Sequence, residues 1–190
     1  MGAPPTEIGE RFFDNCAPEF TIFYPAACAS SWAPNGETTW NGYPIKPFEL
    51  PQGSFTVTDE GGATKTQPIM SDMESGFLFN IPAGTTAEQL ASAIGATDIG
   101  VMGKLKTGDV ISYCGMELTI AIAGDVDCDA QITAADASKI LRAIVKLEEL
   151  NDIQSIAANT QNAAEYTASD AAKILRWIVK YEFTIGIICD

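Results

Sequence analysis

The chain has 190 residues, 46% of them hydrophobic, and carries a net charge of −14 with no histidine. That length can bury one large core or two small ones, and so acidic a surface makes nucleic acid and anionic membranes poor partners. The missing histidine excludes His-dependent triads and the common zinc-finger sites, and no apolar run of 18 or more residues suggests membrane insertion.

The five cysteines (Cys16, Cys28, Cys114, Cys128 and Cys189) are odd in number and form no CxxC pair, so no full disulfide framework is implied. A Cys128–Cys189 bond is conceivable, with Cys128 facing outward; free buried thiols are expected for the rest. The sequence opens Met1-Gly-Ala-Pro-Pro, which does not read as a signal peptide, and we expect the chain to be the end of a longer exported protein.

Taken in order, residues 1–50 carry Ile8-Gly-Glu-Arg-Phe-Phe-Asp-Asn-Cys16, then Phe20-Thr-Ile-Phe-Tyr-Pro25 and Thr39-Trp-Asn-Gly-Tyr-Pro44. The first of these is similar to the signature of leucine-rich repeats in bacterial surface proteins, and the other two resemble the segment that closes such an array. A lone repeat cannot form a solenoid, so the resemblance implies a terminal remnant. Pro44, Pro47, Pro51 and Gly53 read as a stiff linker.

Residues 51–123 read as a small β-rich accessory module. Phe55–Thr58, Gly76–Phe79, Ile99–Met102, Val110–Tyr113 and Glu117–Ala123 alternate or run apolar, which predicts short strands. Thr85 and Thr86 ahead of Leu90, Ala91 and Ile94, with Gly95 at the end, predict one capped helix. A small antiparallel sheet covered by that helix is expected, with a rigid joint where the last strand meets Gly124.

Residues 124–190 carry 11 acidic and 6 basic groups, a net −5, which leaves −9 for residues 1–123. Asp125, Asp127, Asp129 and Asp136 stand at positions 1, 3, 5 and 12 of a twelve-residue loop. Calcium takes six to eight oxygens, and EF-hand loops supply them at this spacing. The expected ligands are the Asp125, Asp127 and Asp129 carboxylates, the Gln131 carbonyl, Thr133 directly or through water, and Asp136. Ile132 at position 8 should point into the core. An acidic helix cap is the plainer alternative.

Ala137, Ile140, Leu141, Ile144 and Val145 recur at helical spacing and predict a buried stripe. The stretch 132–146 then returns at 166–180, with 11 of 15 positions identical at an offset of 34. One such unit cannot bury its apolar stripe alone, so two facing copies are the natural minimum. By the same register the second loop reads Asn159, Gln161, Ala163, Glu165, Thr167 and Asp170. Three carboxylates have become two amides and a methyl, so one ion is expected, in the first loop only.

Gly124-Asp-Val-Asp127 and the duplicated Asp-Ala-X-Lys-Ile-Leu-Arg helices resemble the dockerin family, the paired loop–helix modules of bacterial extracellular complexes. The resemblance implies calcium in each loop and docking onto a cohesin domain of a scaffold protein, as in cellulosomes. It also implies glycine at loop position 6, where this chain has Ala130. Carried over by position, it implicates Ala134, Ala135, Arg142, Ala143 and Lys146 in the first copy. Ala168, Ser169, Arg176, Trp177 and Lys180 correspond in the second. Lys139 and Lys173 extend the two basic stripes. The Ala143/Trp177 difference argues that the two faces are not equivalent.

The expected fold is α+β: a small antiparallel β-rich module with one helix, then an all-α, paired, EF-hand-like module. Glu37, Glu49, Asp59, Glu60, Asp72 and Glu74 are scattered along polar stretches, which argues against a glycosidase pair and against catalysis. The expected function is a calcium-dependent, extracellular adaptor. The alternative is a calcium-stabilised end-piece that binds no cohesin, favoured if Trp177 is buried within the chain.

Overall fold

The computed structural model describes residues 21–26, 29–48, 51–58, 62–72 and 75–188. The Ile8–Cys16 motif, Cys28 and Cys189 lie outside these residues. Two units, Met1–Leu50 and Pro51–Asp190, are each internally compact.

In the first unit, β1 (Ile22–Pro25) pairs in parallel with β3 (Tyr43–Phe48), and β2 (Thr39–Trp40) pairs antiparallel with β3. Asn41 and Gly42, both at positive φ, form the two-residue turn that β2 and β3 need to fold back with the right twist. Two of the prolines expected to make a linker, Pro44 and Pro47, lie inside β3 instead. Pro44 precedes the first β1–β3 pair, Ile22–Ile45, and Pro47 lies beyond the end of β2, so neither missing N–H is needed. The short helix α1 (Ala29–Trp32) brings Trp32 onto Tyr24, stacked at 5.7 Å, and beside Trp40 at 5.6 Å.

The second unit starts with a hairpin, β4 (Ser54–Thr58) and β5 (Thr64–Pro68). Next come β6 (Met70–Asp72), β7 (Phe77–Ile81), the helix α2 (Ala87–Ala93), β8 (Val110–Tyr113) and β9 (Met116–Ile122). The four-stranded sheet has the order β6-β7-β9-β8. It is mixed, not antiparallel as expected, because β7 and β9 run parallel. The chain crosses over through α2 to β8 and turns back at Cys114-Gly115 into the centre of the sheet, and parallel neighbours require such a crossover. Thr86 caps α2 with the reciprocal bond from Gln89 that makes a capping box. Leu78, Ile81, Leu90, Leu105, Ile111 and Ile120 are at the centre of this core. The strand expected at 99–102 does not form. Gly100 and Gly103 take positive φ, and Ile99 is buried by an irregular segment whose carbonyl accepts from Ser112 N–H at 2.9 Å.

From β9 the chain passes through Ala123 and Gly124 into the acidic loop, then α3 (Ala134–Ile144), α4 (Asp152–Ala158) and α5 (Ala168–Ile178). α3 packs on α5 around Val126, Ala137, Ile140, Ala171, Ile174 and Ile185, with Ile132 half-buried against them. Ala137 and Ile140 thus keep to the expected buried stripe. Leu141, Ile144 and Val145 do not; they are exposed.

The architecture corrects the expected fold class. The protein is α+β with three small sheets, five helices and only 26% helix among the described residues, and residues 124–188 are not an all-α module in their own right. α4 packs on β7 and β9, and Gly124 N–H donates to the Ala157 carbonyl at 2.9 Å. The tail returns to the sheet as well: Asn80 Nδ2 donates to the Ile187 carbonyl at 2.9 Å, and Ile187 N–H donates to Asn80 Oδ1 at 2.7 Å. With two residues between β9 and the loop, helices and sheet share backbone hydrogen bonds and fold as one unit.

Candidate metal centre

The first loop is built by carboxylates that fold the backbone around themselves. Asp125 is fully buried. Its Oδ1 accepts N–H bonds from Asp129 and Ala130 at 3.0 and 3.2 Å, and its Oδ2 accepts from Thr107 N–H at 2.8 Å. Asp136, also fully buried, takes Val126 and Asp127 N–H on Oδ1 at 2.8 and 3.1 Å, and Thr133 N–H on Oδ2 at 2.8 Å. Asp127 is held more loosely, accepting one N–H from Asp129 at 3.3 Å. Cys128 and Ala130 take left-handed φ of 66° and 69°, a conformation that disfavours a side chain by about 1–2 kcal/mol per residue.

One carboxylate oxygen from each of Asp125, Asp127 and Asp136 lies within 4.8 Å of the other two. Burial raises the Asp125 carboxyl above its ordinary value, opposed in part by the Thr107 hydrogen bonds. Asp127 is raised by burial first, then by the charges of Asp136, Asp129 and Asp125. Crowded, partly desolvated carboxylates are under electrostatic strain that a cation relieves. This triad could therefore hold a metal ion, and three hard oxygens suit a hard divalent cation.

Of the carboxylates expected as ligands, Asp129 is not among the three whose oxygens converge, whereas Thr133 Oγ1 lies 3.5 Å from Asp136 Oδ2. Asp129 is exposed, and its Oδ1 accepts Gln131 N–H at 2.7 Å. Gln131 is exposed too. Thr133 Oγ1 caps α3 by accepting from Ala135 N–H at 3.1 Å. So the plainer helix-cap reading is present alongside the triad, as the capping box of Thr133 and Asp136. Cys128 is a free, half-buried thiol beside Gln154 Nε2 at 3.8 Å, so it neither faces outward nor pairs with Cys189. Thr107 and Lys104, whose ammonium donates to the Ala130 carbonyl, tie the loop to the sheet. Both lie in a distant stretch with no metal-loop pattern, so nothing in the sequence marks them.

The second loop closes on its own hydrogen bonds. Asn159 Nδ2 donates to the Ala163 carbonyl at 2.7 Å, and Ala163 N–H returns to Asn159 Oδ1 at 3.0 Å. Asp170, fully buried like its counterpart Asp136, accepts from Thr160 Oγ1 at 3.0 Å and Thr167 N–H at 2.8 Å. Lys173 Nζ donates to the Thr160 and Gly186 carbonyls at 3.0 and 2.7 Å, and burial lowers its affinity for the proton. An ammonium and two amides hold this loop where the first gathers three carboxylates.

The expected partner residues divide. Ala134, Ala135, Lys146, Ala168, Ser169 and Lys180 are exposed. Arg142 is exposed and bridges Glu148 at 3.3 Å, whereas half-buried Arg176 holds Glu182 at 2.6 Å. Ala143 is buried, and Trp177 is half-buried on the core of the helix pair. Lys139 and Lys173 are drawn inward to Glu148 and to the two carbonyls, so neither belongs to an open basic stripe. The residues that replace them on the surface are apolar. Leu141, Ile144, Val145 and Leu147 are exposed, and so are their counterparts 34 positions on, Leu175, Ile178, Val179 and Tyr181. Val145 is 63% exposed and Val179 73%.

Comparison with protein-family models, with curated proteins and with solved structures found no match. No helix among the described residues is long and apolar enough to cross a membrane.

Proposed function

We propose that the protein is a non-catalytic, calcium-dependent adaptor that docks its parent extracellular protein onto a cohesin domain, in the manner of a dockerin. The observation that carries this reading is the matched pair of exposed apolar rows on α3 and α5. Four large apolar side chains repeated along the C-terminal end of each of two packed helices and just beyond it form a surface that water disfavours and a protein partner can cover. Arg142, Lys146 and Lys180 at its edge suit a rim that sets orientation. Calcium at Asp125, Asp127 and Asp136 would neutralise the loop and fix the start of α3, and so the angle at which α3 meets α5.

The alternative is a calcium-stabilised end-piece without a cohesin partner. It is favoured by Trp177, whose ring rests partly on the core cluster and so gives only part of its surface to a partner. Titration against a panel of purified cohesins, with calcium and with chelator, separates the two. Docking predicts saturable binding to at least one cohesin that chelator abolishes and that Val145→Asp with Val179→Asp removes. Absence of binding across the panel, with calcium-dependent stability retained, selects the end-piece.

A further inference from the structure

We infer that the free edge of β4 is a docking site for an extended, basic peptide strand. β4 has one neighbour, β5. Ile69 N–H donates to the Gly53 carbonyl at 2.8 Å, which fixes the alternation of the antiparallel ladder. The N–H and C=O groups of Phe55 and Val57 point at β5, and those of Ser54, Thr56 and Thr58 point away from it. No described backbone group bonds to that outward row.

Natural edges are usually blunted by lysine, proline or a bulge. β4 reads Ser-Phe-Thr-Val-Thr and pairs with β5 without a register shift, so none of these devices protects it. The edge opens instead onto a groove of about 680 Å³, whose far wall is the Glu88, Gln89 and Ser92 face of α2. At one end the groove is shut by contact. A Cβ on Gly53 would lie 2.2 Å from the Ala93 carbonyl oxygen, so only glycine lets the strand and the helix meet there.

The outward row selects the shape of the occupant. Alternate N–H and C=O groups along a strand are complemented by another extended backbone, which adds as a further strand while pockets on either side read its side chains. The charge selects its chemistry. Glu88 is fully exposed on the groove wall, with its carboxyl held below the ordinary value first by its own backbone N–H and then by Thr86. The chain as a whole carries −14. Glu88 is the one charged residue of the groove lining among the described residues; a second copy would bring its own Glu88 and the same net charge to the edge, so a lysine- or arginine-bearing segment of another protein fits better.

The probe is a capped heptapeptide of alternating valine and threonine with lysine at both ends, added to the ¹⁵N-labelled full chain. Three controls accompany it: the same peptide N-methylated on the residues facing β4, a version with glutamate for lysine, and Thr56→Pro. The Thr56 N–H points away from β5, so proline there leaves the ladder intact, and the N-methylated peptide tests the same bonds with the protein unaltered. We expect saturable shifts at the Ser54, Thr56 and Thr58 amides, with each control weakening binding about tenfold or more, as expected for a lost amide hydrogen bond or a reversed charge. The inference is overturned by an absence of shifts, by equal binding of the N-methylated or acidic peptide, or by the same amides shifting with protein concentration alone, which marks self-pairing.

Discussion

Asp127→Asn separates a metal ligand from a structural carboxylate more cleanly than any other change in the loop. Asp136 and Asp125 each accept three backbone N–H bonds, so altering them damages the loop whether or not an ion binds; Asp127 accepts one, at 3.3 Å. In metal-free protein the amide removes a charge that burial and three neighbouring carboxylates oppose. Stability there should hold or rise slightly.

With calcium the balance reverses. At a free ion concentration 100 times the dissociation constant, binding stabilises the native state by about 2.7 kcal/mol. Losing one of three converging charges should weaken the site roughly a hundredfold, since affinity follows ligand charge. The remaining stabilisation is then about 0.4 kcal/mol. The difference of about 2.3 kcal/mol corresponds to a Tm lower by roughly 5–9 °C in calcium. Calorimetry of both proteins, with calcium and with chelator, reads this directly. A fall of the same size in chelator, or an unchanged calcium increment, refutes the assignment of Asp127 as a ligand.

Three further outcomes follow from particular residues. Ala130→Gly relieves a φ of 69° and should raise calcium-bound stability by up to about 1 kcal/mol, seen as a higher denaturation midpoint; a lower one contradicts strain at this position. Because the folded carboxyls of Asp125 and Asp127 are raised, the metal-free protein binds their protons more tightly than the unfolded chain does. That stabilisation is present at pH below the ordinary carboxylate value and is lost as pH rises through the raised values, so chelated protein should gain stability from these groups on mild acidification while calcium affinity falls. Denaturant titrations across that range check the sign. Gly186→Ala puts a Cβ 2.4 Å from Asn80 Oδ1 at a φ of 103°, which should cost about 2–4 kcal/mol and release the Ile187 amide to hydrogen exchange; continued protection of that amide contradicts the tail clip.

The sequence marked the parts of the fold that rest on local patterning. Val110–Tyr113 is the strand its alternation predicts, and Thr86 caps α2 as its position before Leu90 and Ala91 suggests. β5 was invisible because Thr64-Lys-Thr-Gln-Pro68 buries a glutamine, held by Asn80, and has no apolar alternation. α4 is legible after the fact: Asn151 and Gln154 spell its capping box, and Ile153, Ile156 and Ala157 have helical spacing, but only over two turns. In the site, Asp125, Asp127 and Asp136 come together as their spacing suggests, whereas Asp129 turns outward to cap Gln131 N–H. The helix faces misled most. Leu141, Ile144 and Val145 have the spacing of a core stripe, but α3 joins the core it shares with α5 through Ala137 and Ile140, leaving the other three in solvent. Hydrophobic periodicity identifies a helix without saying which of two adjacent apolar faces a close partner selects.

The direct test of the central claim is the number and place of ions bound. Crystals grown in excess calcium should show one ion in the Asp125–Asp136 loop, with Asp125, Asp127 and Asp136 oxygens at about 2.3–2.6 Å, and none in the loop from Asn159 to Asp170. An empty first loop beside an intact α3–α5 pair, or equal occupancy of both loops, contradicts the account.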